Sequence, residues 1–294
     1  MKISKKKNQI NKPKVLKYIF IFIFIFIFIF IIIIIFLFIY GYNSGSCKIN
    51  KKYICDNNFC LYKEFDIILE KNIKNDIDKI LANKDLSKKV IIKTYPENIL
   101  NCALPNKSGI TISTSNILNN SAAPSRACSG CGDAGLTERC GSLRKTPSNI
   151  INFYQNNLCK IISKLTNLQL YPTDLSYPTS CALLIYNEEN DWINWHYDYN
   201  YYNGRFFTVL IPITYVETCT KFQFMDDSNK ITNIDLINKG LCFEGNYLYH
   251  RATKLCKNQK RVILSCQYVT DNSMTLINKL RIKLKDYAYI GKFF

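Results

Sequence analysis

The stretch Tyr18–Tyr40, YIFIFIFIFIFIFIIIIIFLFIY, holds 23 residues without a charge, a glycine or a proline. As a helix it would be about 34 Å long at roughly 1.5 Å per residue, enough to cross a bilayer core. Its Ile/Phe alternation has the period of a strand. A lone strand, however, cannot satisfy its backbone in lipid, and one apolar on both faces has no place in water. The stretch is therefore predicted to be a helix, with Tyr18 and Tyr40 at the two interfaces. Before it lie seven lysines and no acid. The positive-inside rule keeps that end in the cytosol and sends the remainder across. A cleaved signal peptide is the alternative, but its apolar region would run to about 7–15 residues. The expected topology is a single-pass type II membrane protein, anchored through residues 18–40, with its folded part in the ER lumen or outside the cell.

Thirteen cysteines follow, all after the apolar run. That density is ordinary in an oxidising compartment and high for a reducing one. The odd count leaves at least one thiol free or bridging between chains. Sequons at Asn106 and Asn119 agree with this placement. The formal net charge is +17, and setting aside the seven N-terminal lysines leaves +10 for the rest. Such a surface could draw an acidic partner or nucleic acid. The lysines are scattered, though, with no basic stripe interleaved with aromatics. Together with the anchor and the cysteines, this argues against nucleic acid.

Residues 61–90 carry Phe65, Ile68, Leu69, Ile73, Ile77, Ile80 and Leu81 at helical spacing, predicting one or two helices of a stem. Residues 105–148 are rich in Ser, Gly, Asn and Pro and read as loops. Within them ACSGCGDAGLTERCGS places Cys128, Cys131 and Cys140 close together. Structural disulfides are expected there, with a zinc knuckle or a redox CxxC as alternatives; zinc commonly wants four ligands in two spaced pairs. From Ile150 an amphipathic helix leads into short apolar runs: CALLIY, WINWHYD, FFTVLIPI, KFQFMD, ITNIDLI, GLCFEG and RVILSCQYV. Seven or eight strands at this spacing predict a mainly β sandwich or jelly-roll. Trp192 and Trp195 are expected in the core. Tyr197, Tyr199, Tyr201 and Tyr202 are expected to pack, with a substrate groove as the alternative. Arg205 is an internal salt-bridge partner or a substrate contact. The basic, amphipathic C-terminus predicts a helix packed on the barrel, or else a membrane-surface contact. The expected organisation is a basic tail over 1–17, the anchor over 18–40, a Cys-containing stem and loops over 41–148, a β domain over 149–272 and a basic helix over 273–294.

Histidine is used only twice, at His196 and His250. His196 stands two residues before Asp198 in NWHYDYN. On a strand, alternate side chains share a face, so the imidazole and the carboxylate could grip one cation. His250 lies 52 residues beyond Asp198, far enough for several strands to return it to the same place. Two imidazoles and one carboxylate on one face of an ion leave three positions open. That facial set suits Fe(II) that must bind a co-substrate and O2 together. Arg261 opens the strand RVILSCQYV and could clamp a dicarboxylate through a two-pronged salt bridge.

The order HxD, distal His, then Arg at the start of the next strand resembles the iron(II)- and 2-oxoglutarate-dependent dioxygenases, most of all their prolyl 4-hydroxylase branch. The resemblance covers roughly Ile150 to Asp271 and includes LLIYN, GRFFTVLIPI and NKGLCFEGNYLYH. It implies a double-stranded β-helix with supporting N-terminal helices. It implies that His196, Asp198 and His250 hold Fe(2+), and that Arg261 binds the far carboxylate of 2-oxoglutarate. Collagen-type members usually have Lys for that task, so Lys260 is a second candidate. Some relatives place a Tyr on the strand after HxD; Ile211 and Pro212 stand in that region here, and Tyr186 and Thr208 are possible substitutes. The implied reaction consumes 2-oxoglutarate and O2, with ascorbate keeping the iron reduced. The implied substrate is a polypeptide, with proline-rich chains among the candidates: peptidyl-proline first, peptidyl-lysine second. A reading of another class is a non-catalytic, membrane-anchored β-barrel that binds or supports. A nucleic-acid demethylase on the same fold is disfavoured by the anchor, the cysteines and the missing basic groove.

Overall fold

The computed structural model describes residues 12–43, 59–82, 89–92, 107–114, 149–213, 219–226 and 228–290. The chain divides into two units, 1–45 and 46–294. The first consists of one helix, α1 (Lys12–Asn43). Its segment Leu16–Ile35 is long and apolar enough to cross a membrane, with a mean hydropathy of 3.6. Phe and Ile side chains are exposed all round that segment.

The second unit is built on one curled antiparallel sheet. Its strands are β1 (Tyr62–Asp66), β2 (Lys89–Ile92), β3 (Lys107–Ser113), β4 (Tyr171–Pro172), β5 (Cys181–Tyr186), β6 (Trp192–His196), β7 (Phe206–Pro212), β8 (Phe222–Met225), β9 (Ile231–Ile234), β10 (Lys239–Phe243), β11 (Tyr249–Ala252) and β12 (Arg261–Val269). The order is β1-β10-β7-β12-β5-β3-β6-β11-β8-β9, with β2 on β3 and β4 on β12. β10, β7, β12 and β5 form one wall, and β6, β11, β8 and β9 the other. β3 joins them, pairing with β5 on one side and β6 on the other. This is the jelly-roll expected from the strand spacing.

Side-chain alternation makes the two layers of the domain. On β12, Val262, Leu264, Cys266 and Tyr268 face a helical layer, while Arg261, Ile263, Ser265 and Gln267 line the interior. β12 is buried on both faces, and so its sequence is an almost unbroken apolar run. The helical layer comprises α2 (Lys71–Ala82), α3 (Asn149–Asn152), a π turn (Phe153–Leu158) and α4 (Cys159–Thr166). Ile73, Ile77 and Ile80 repeat at i, i+4, i+7 and bury one face of α2. Ile150, Tyr154, Leu158 and Ile162 do the same for the second helical stretch. The Tyr154 hydroxyl lies 2.9 Å from the carbonyl of Thr173 and 3.0 Å from that of Gln267, its one proton shared between them, tying helix to sheet. Tyr268 on β12 donates in return to the Tyr154 carbonyl at 2.7 Å, within the π turn.

Two stretches differ from the sequence expectation. Residues 62–66 are a strand, β1, paired with β10 from Tyr62↔Phe243 to Asp66↔Lys239. Ile68, counted in the helical pattern, is 93% exposed. β1 and α2 belong to the β domain's own core rather than to a separate stem. Residues 107–113 are a central strand, not a loop, because β5 and β6 offer them hydrogen-bonding edges on both sides. Cys128, Cys131, Cys140, Asn106 and Asn119 lie outside the described residues.

Among the described residues, Cys219 and Cys256 form a disulfide that joins the turn before β8 to the turn after β11, and Cys60 is disulfide-bonded. Cys159, Cys181, Cys242 and Cys266 are free and buried, where thiols serve as small apolar groups. The C-terminal helix α5 (Leu276–Ile290) packs on the domain. Ile282 is buried with Tyr177, Tyr199, Tyr201, Tyr202 and Phe206. Asn278 donates to the Tyr201 carbonyl, and the Asp286 carboxylate accepts from Thr179 at 2.8 Å.

Candidate metal centre and its cavity

The two histidines meet because β6 and β11 are neighbours in the sheet: His196 and His250 are direct cross-strand partners. Directly opposed side chains on one face lie close together. The ring centroids are 4.2 Å apart, well inside the reach of a shared ion. Asp198 lies just beyond the end of β6, so strand alternation alone does not place it. Its backbone N–H donates to the Gly245 carbonyl at 2.8 Å, and its Oδ2 accepts from the Thr208 hydroxyl at 2.6 Å. Oδ1 then faces both rings, 3.6 Å from Nε2 of His196 and 3.9 Å from Nε2 of His250. Ligands about 2.1 Å from an ion and at right angles lie about 3.0 Å apart. A small inward movement of the three groups would therefore complete such a set.

Both imidazoles are held in the same way. Nδ1 of His196 is 2.6 Å from the Asn194 carbonyl, and Nδ1 of His250 is 2.7 Å from the Leu248 carbonyl. A carbonyl oxygen only accepts, so each Nδ1 carries a proton, and in the neutral ring Nε2 then holds the lone pair that faces the centre. Burial, and then the neighbouring His250, draw the pKa of His196 from 6.5 to about 3. Burial works to raise Asp198, but His250, His196 and the Thr208 hydroxyl outweigh it and hold the carboxyl below its ordinary range. At neutral pH this gives a neutral His196 beside a charged carboxylate, the protonation state that a cation needs.

The same shift carries a stability consequence. A buried, neutral His196 resists protonation down to about pH 3, whereas the unfolded chain takes up that proton near 6.5. Protons then favour the unfolded chain, so stability falls as pH drops through this window and is fully present above it. Thermal melts of chelator-treated protein should show Tm declining between about pH 6.5 and 3, and His196→Gln should flatten the decline.

His196, Asp198 and His250 form the one group of three or more potential metal ligands among the described residues, their donor atoms all within 4.8 Å of one another. Two imidazole nitrogens and one carboxylate oxygen, with no thiolate, suit Fe(II) and similar divalent ions and leave further positions vacant. The site opens into a cavity of about 140 Å³ between the two walls.

Arg261 lines that cavity while being 8% exposed. Its guanidinium lies 5.7 Å from the Tyr186 ring centre and has no hydrogen-bond acceptor or anionic partner among the described residues. Burial lowers its pKa, and an unpaired buried cation is costly until an anion reaches it. Tyr186 pairs with Arg261 across β5 and β12 and also lines the cavity. Thr208 lines it too, with its hydroxyl committed to Asp198. Lys260 is exposed and lies off the cavity, since neighbours along a strand point to opposite faces.

Arg205 makes a two-pronged ion pair with the buried Glu244, at 2.9 and 2.8 Å, and its side chain stays 28% exposed. Trp195 is partly exposed and stacks between Tyr249 and Arg251, the latter 4.5 Å from its ring centre. Tyr199, Tyr201 and Tyr202 are buried against α5, with Tyr199 and Tyr201 reaching the cavity.

Three contributors escaped the sequence reading. Gly245 approaches Asp198 so closely that a methyl group there would overlap the carboxylate; the glycine of FEGNYLYH was a partial hint. Asp191, fully buried, accepts from Ser108 at 2.8 Å and from the N–H groups of Asn187 and Glu188 at 3.0 Å, pinning β3 beside β6. Lys107 on β3 is buried in the cavity wall.

No family model matches the sequence, and no curated protein matches it. Solved structures resemble the chain at low identity. A prolyl hydroxylase from Trichoplax adhaerens, in complex with a hypoxia inducible factor oxygen degradation domain peptide fragment, is 13% identical with a TM-score of 0.45, over 82% of this chain and 93% of its own. AviO1 from Streptomyces viridochromogenes Tue57 is 8% identical with a TM-score of 0.44, over 73% and 91%. A prolyl-4-hydroxylase from Pseudomonas putida is 7% identical with a TM-score of 0.41, over 72% of this chain and 93% of its own.

Proposed function

We propose that the β domain is an Fe(II)- and 2-oxoglutarate-dependent dioxygenase that hydroxylates a protein side chain, with peptidyl-proline the leading substrate and peptidyl-lysine the second. One observation carries the reading: an incomplete His-Asp-His donor set shares its cavity with Arg261, a buried guanidinium that has no anionic partner among the described residues. His196, Asp198 and His250 would hold the ion. Arg261, supported by the face of Tyr186, would take the far carboxylate of 2-oxoglutarate as a charge-assisted pair. Thr208 keeps Asp198 turned so that only Oδ1 faces the ion. When bound, ferrous iron supplies the coupled oxidation: 2-oxoglutarate, O2 and a C–H bond become succinate, CO2 and C–OH. The protein's share is orientation, and exclusion of water by walls lined with Ile263, Leu184 and Phe243. Ascorbate is expected to sustain turnover by re-reducing iron. The apolar helix α1 would anchor the enzyme as a type II membrane protein, placing the domain among secretory polypeptides.

The test is succinate formation by the detergent-solubilised chain with Fe(II), 2-oxoglutarate, ascorbate and proline-rich peptides, the peptides then being weighed for a gain of one oxygen. Arg261→Met should raise KM for 2-oxoglutarate by roughly 30–150-fold, as expected for a lost charged pair of about 2–3 kcal/mol. Lys260→Met should leave it unchanged. Absence of both iron binding and succinate would favour a non-catalytic barrel.

A further inference from the structure

A helix packed on a domain normally hides an apolar stripe and shows water a polar one. α5 reverses that order. Ile282 and the carboxylate of Asp286 form its buried side. Polar side chains turn inward beside them: Asn278 donates to the Tyr201 carbonyl, and Arg281 to the Tyr199 hydroxyl at 3.3 Å. Lys285 lines the cavity. The other side of the helix carries Leu276, Leu280 and Leu284, spaced four residues apart, with Ile277 next to them. Leu280 and Leu284 each lie about 160° round the axis from Ile282, at 3.6 residues per turn. Leu276 is 83% exposed, Leu280 49% and Ile277 40%, and Leu284 is half-buried. Lys279 and Lys283, both exposed, border the row. The one acid of the helix, Asp286, is buried on the far side.

The charges select what can cover this row. A twofold contact between copies would set Lys279 and Lys283 against their own counterparts, with no acid of the helix to answer them. A phospholipid surface answers both features. Acyl chains accept the leucines, and headgroup phosphates accept ammonium groups at the ends of flexible stems. Four side chains are few to hold a free protein on a bilayer. A domain already anchored through α1 needs far less affinity, because its second contact is intramolecular.

Resting on the proposed anchoring through α1, we infer that α5 is a second membrane contact: Leu276, Ile277, Leu280 and Leu284 enter the acyl boundary, and Lys279 and Lys283 meet headgroup phosphates. The same helix walls the cavity with Lys285 on its other side. The contact therefore holds the candidate site close to the bilayer, where it meets polypeptide segments at the membrane surface.

The test uses the full chain reconstituted in phosphatidylcholine vesicles. Resistance to an alkaline wash is recorded first and reports insertion of α1. p-Benzoylphenylalanine then replaces Leu280 or, as a reference, Lys257, exposed at the turn between β11 and β12. Illumination and mass spectrometry give the yield of lipid adduct at each position. The yield at 280 should exceed that at 257 by at least about tenfold, since a surface helix sinks its apolar side roughly 5–10 Å into the boundary. Leu276→Asp/Ile277→Asp should cut the yield at 280 by about tenfold, because a carboxylate leaves water only at high cost. Acids suit the first turn of a helix, so α5 itself should persist. Leu276→Ile/Ile277→Leu should keep the yield. A yield at 280 no higher than at 257 would overturn the inference. So would adducts at 280 to a second copy or to this chain itself, which would show protein covering the row. Release by the alkaline wash, seen before illumination, would overturn the anchoring and this inference with it.

Discussion

His250→Ala should leave a folded domain that neither binds ferrous iron nor forms succinate. The ring of His250 is one of three donors and sits across from His196 in register. With it gone, one imidazole and one carboxylate remain, and no other described Cys, His, Asp or Glu joins them. Losing an outer partner of a metal ligand typically costs 10–100-fold in affinity, and losing the ligand itself should cost more. The fold should survive, because β11 remains tied to β8 through four register pairs from Tyr249↔Met225 to Ala252↔Phe222. Titration with Fe(II) under anaerobic conditions, beside a thermal melt without metal, checks both halves. Metal affinity within about threefold of the parent chain would exclude His250 as a ligand.

Gly245→Ala is expected to produce nearly the same loss from a residue that donates nothing to the ion. A Cβ at Gly245 would occupy the place of the Asp198 carboxylate. The carboxylate must swing aside, breaking its 2.6 Å bond to Thr208 and leaving the two Nε2 atoms. The backbone bond from Asp198 N–H to the Gly245 carbonyl opposes relief by shifting the turn instead. Affinity for the ion should fall roughly 10–100-fold or more. Thr208→Val removes only the hydroxyl and should give a milder loss. Unchanged metal affinity in Gly245→Ala would mean that the turn moves freely, and that Asp198 is not confined by it.

Much of the strand pattern is legible in the sequence. Short apolar runs such as CALLIY and RVILSCQYV become β5 and β12 because a jelly-roll buries both faces of its central strands. Two lone histidines mark the candidate centre, whereas Arg261 and Lys260 are told apart only by the cavity, which Arg261 lines and Lys260 does not. What escaped has physical causes. β1 continues the 3.6-residue pattern of α2 through Phe65 and Leu69, and only its pairing with β10 reveals a strand. The run KSGITIS reads as loop because Ser and Gly are weak strand formers; two waiting sheet edges override that preference. Lys107 was hidden for the same reason. The pressure of Gly245 on Asp198 is a contact across 47 positions, which no local period encodes.

The imidazoles of His196 and His250 are oriented by main-chain oxygens at positions 194 and 248 rather than by side-chain carboxylates. Every amino acid supplies such an oxygen. Those two positions can therefore change identity over generations without rotating either ring, so long as the local strand path persists. The chemistry of the centre is thereby insulated from drift in the residues that steer it.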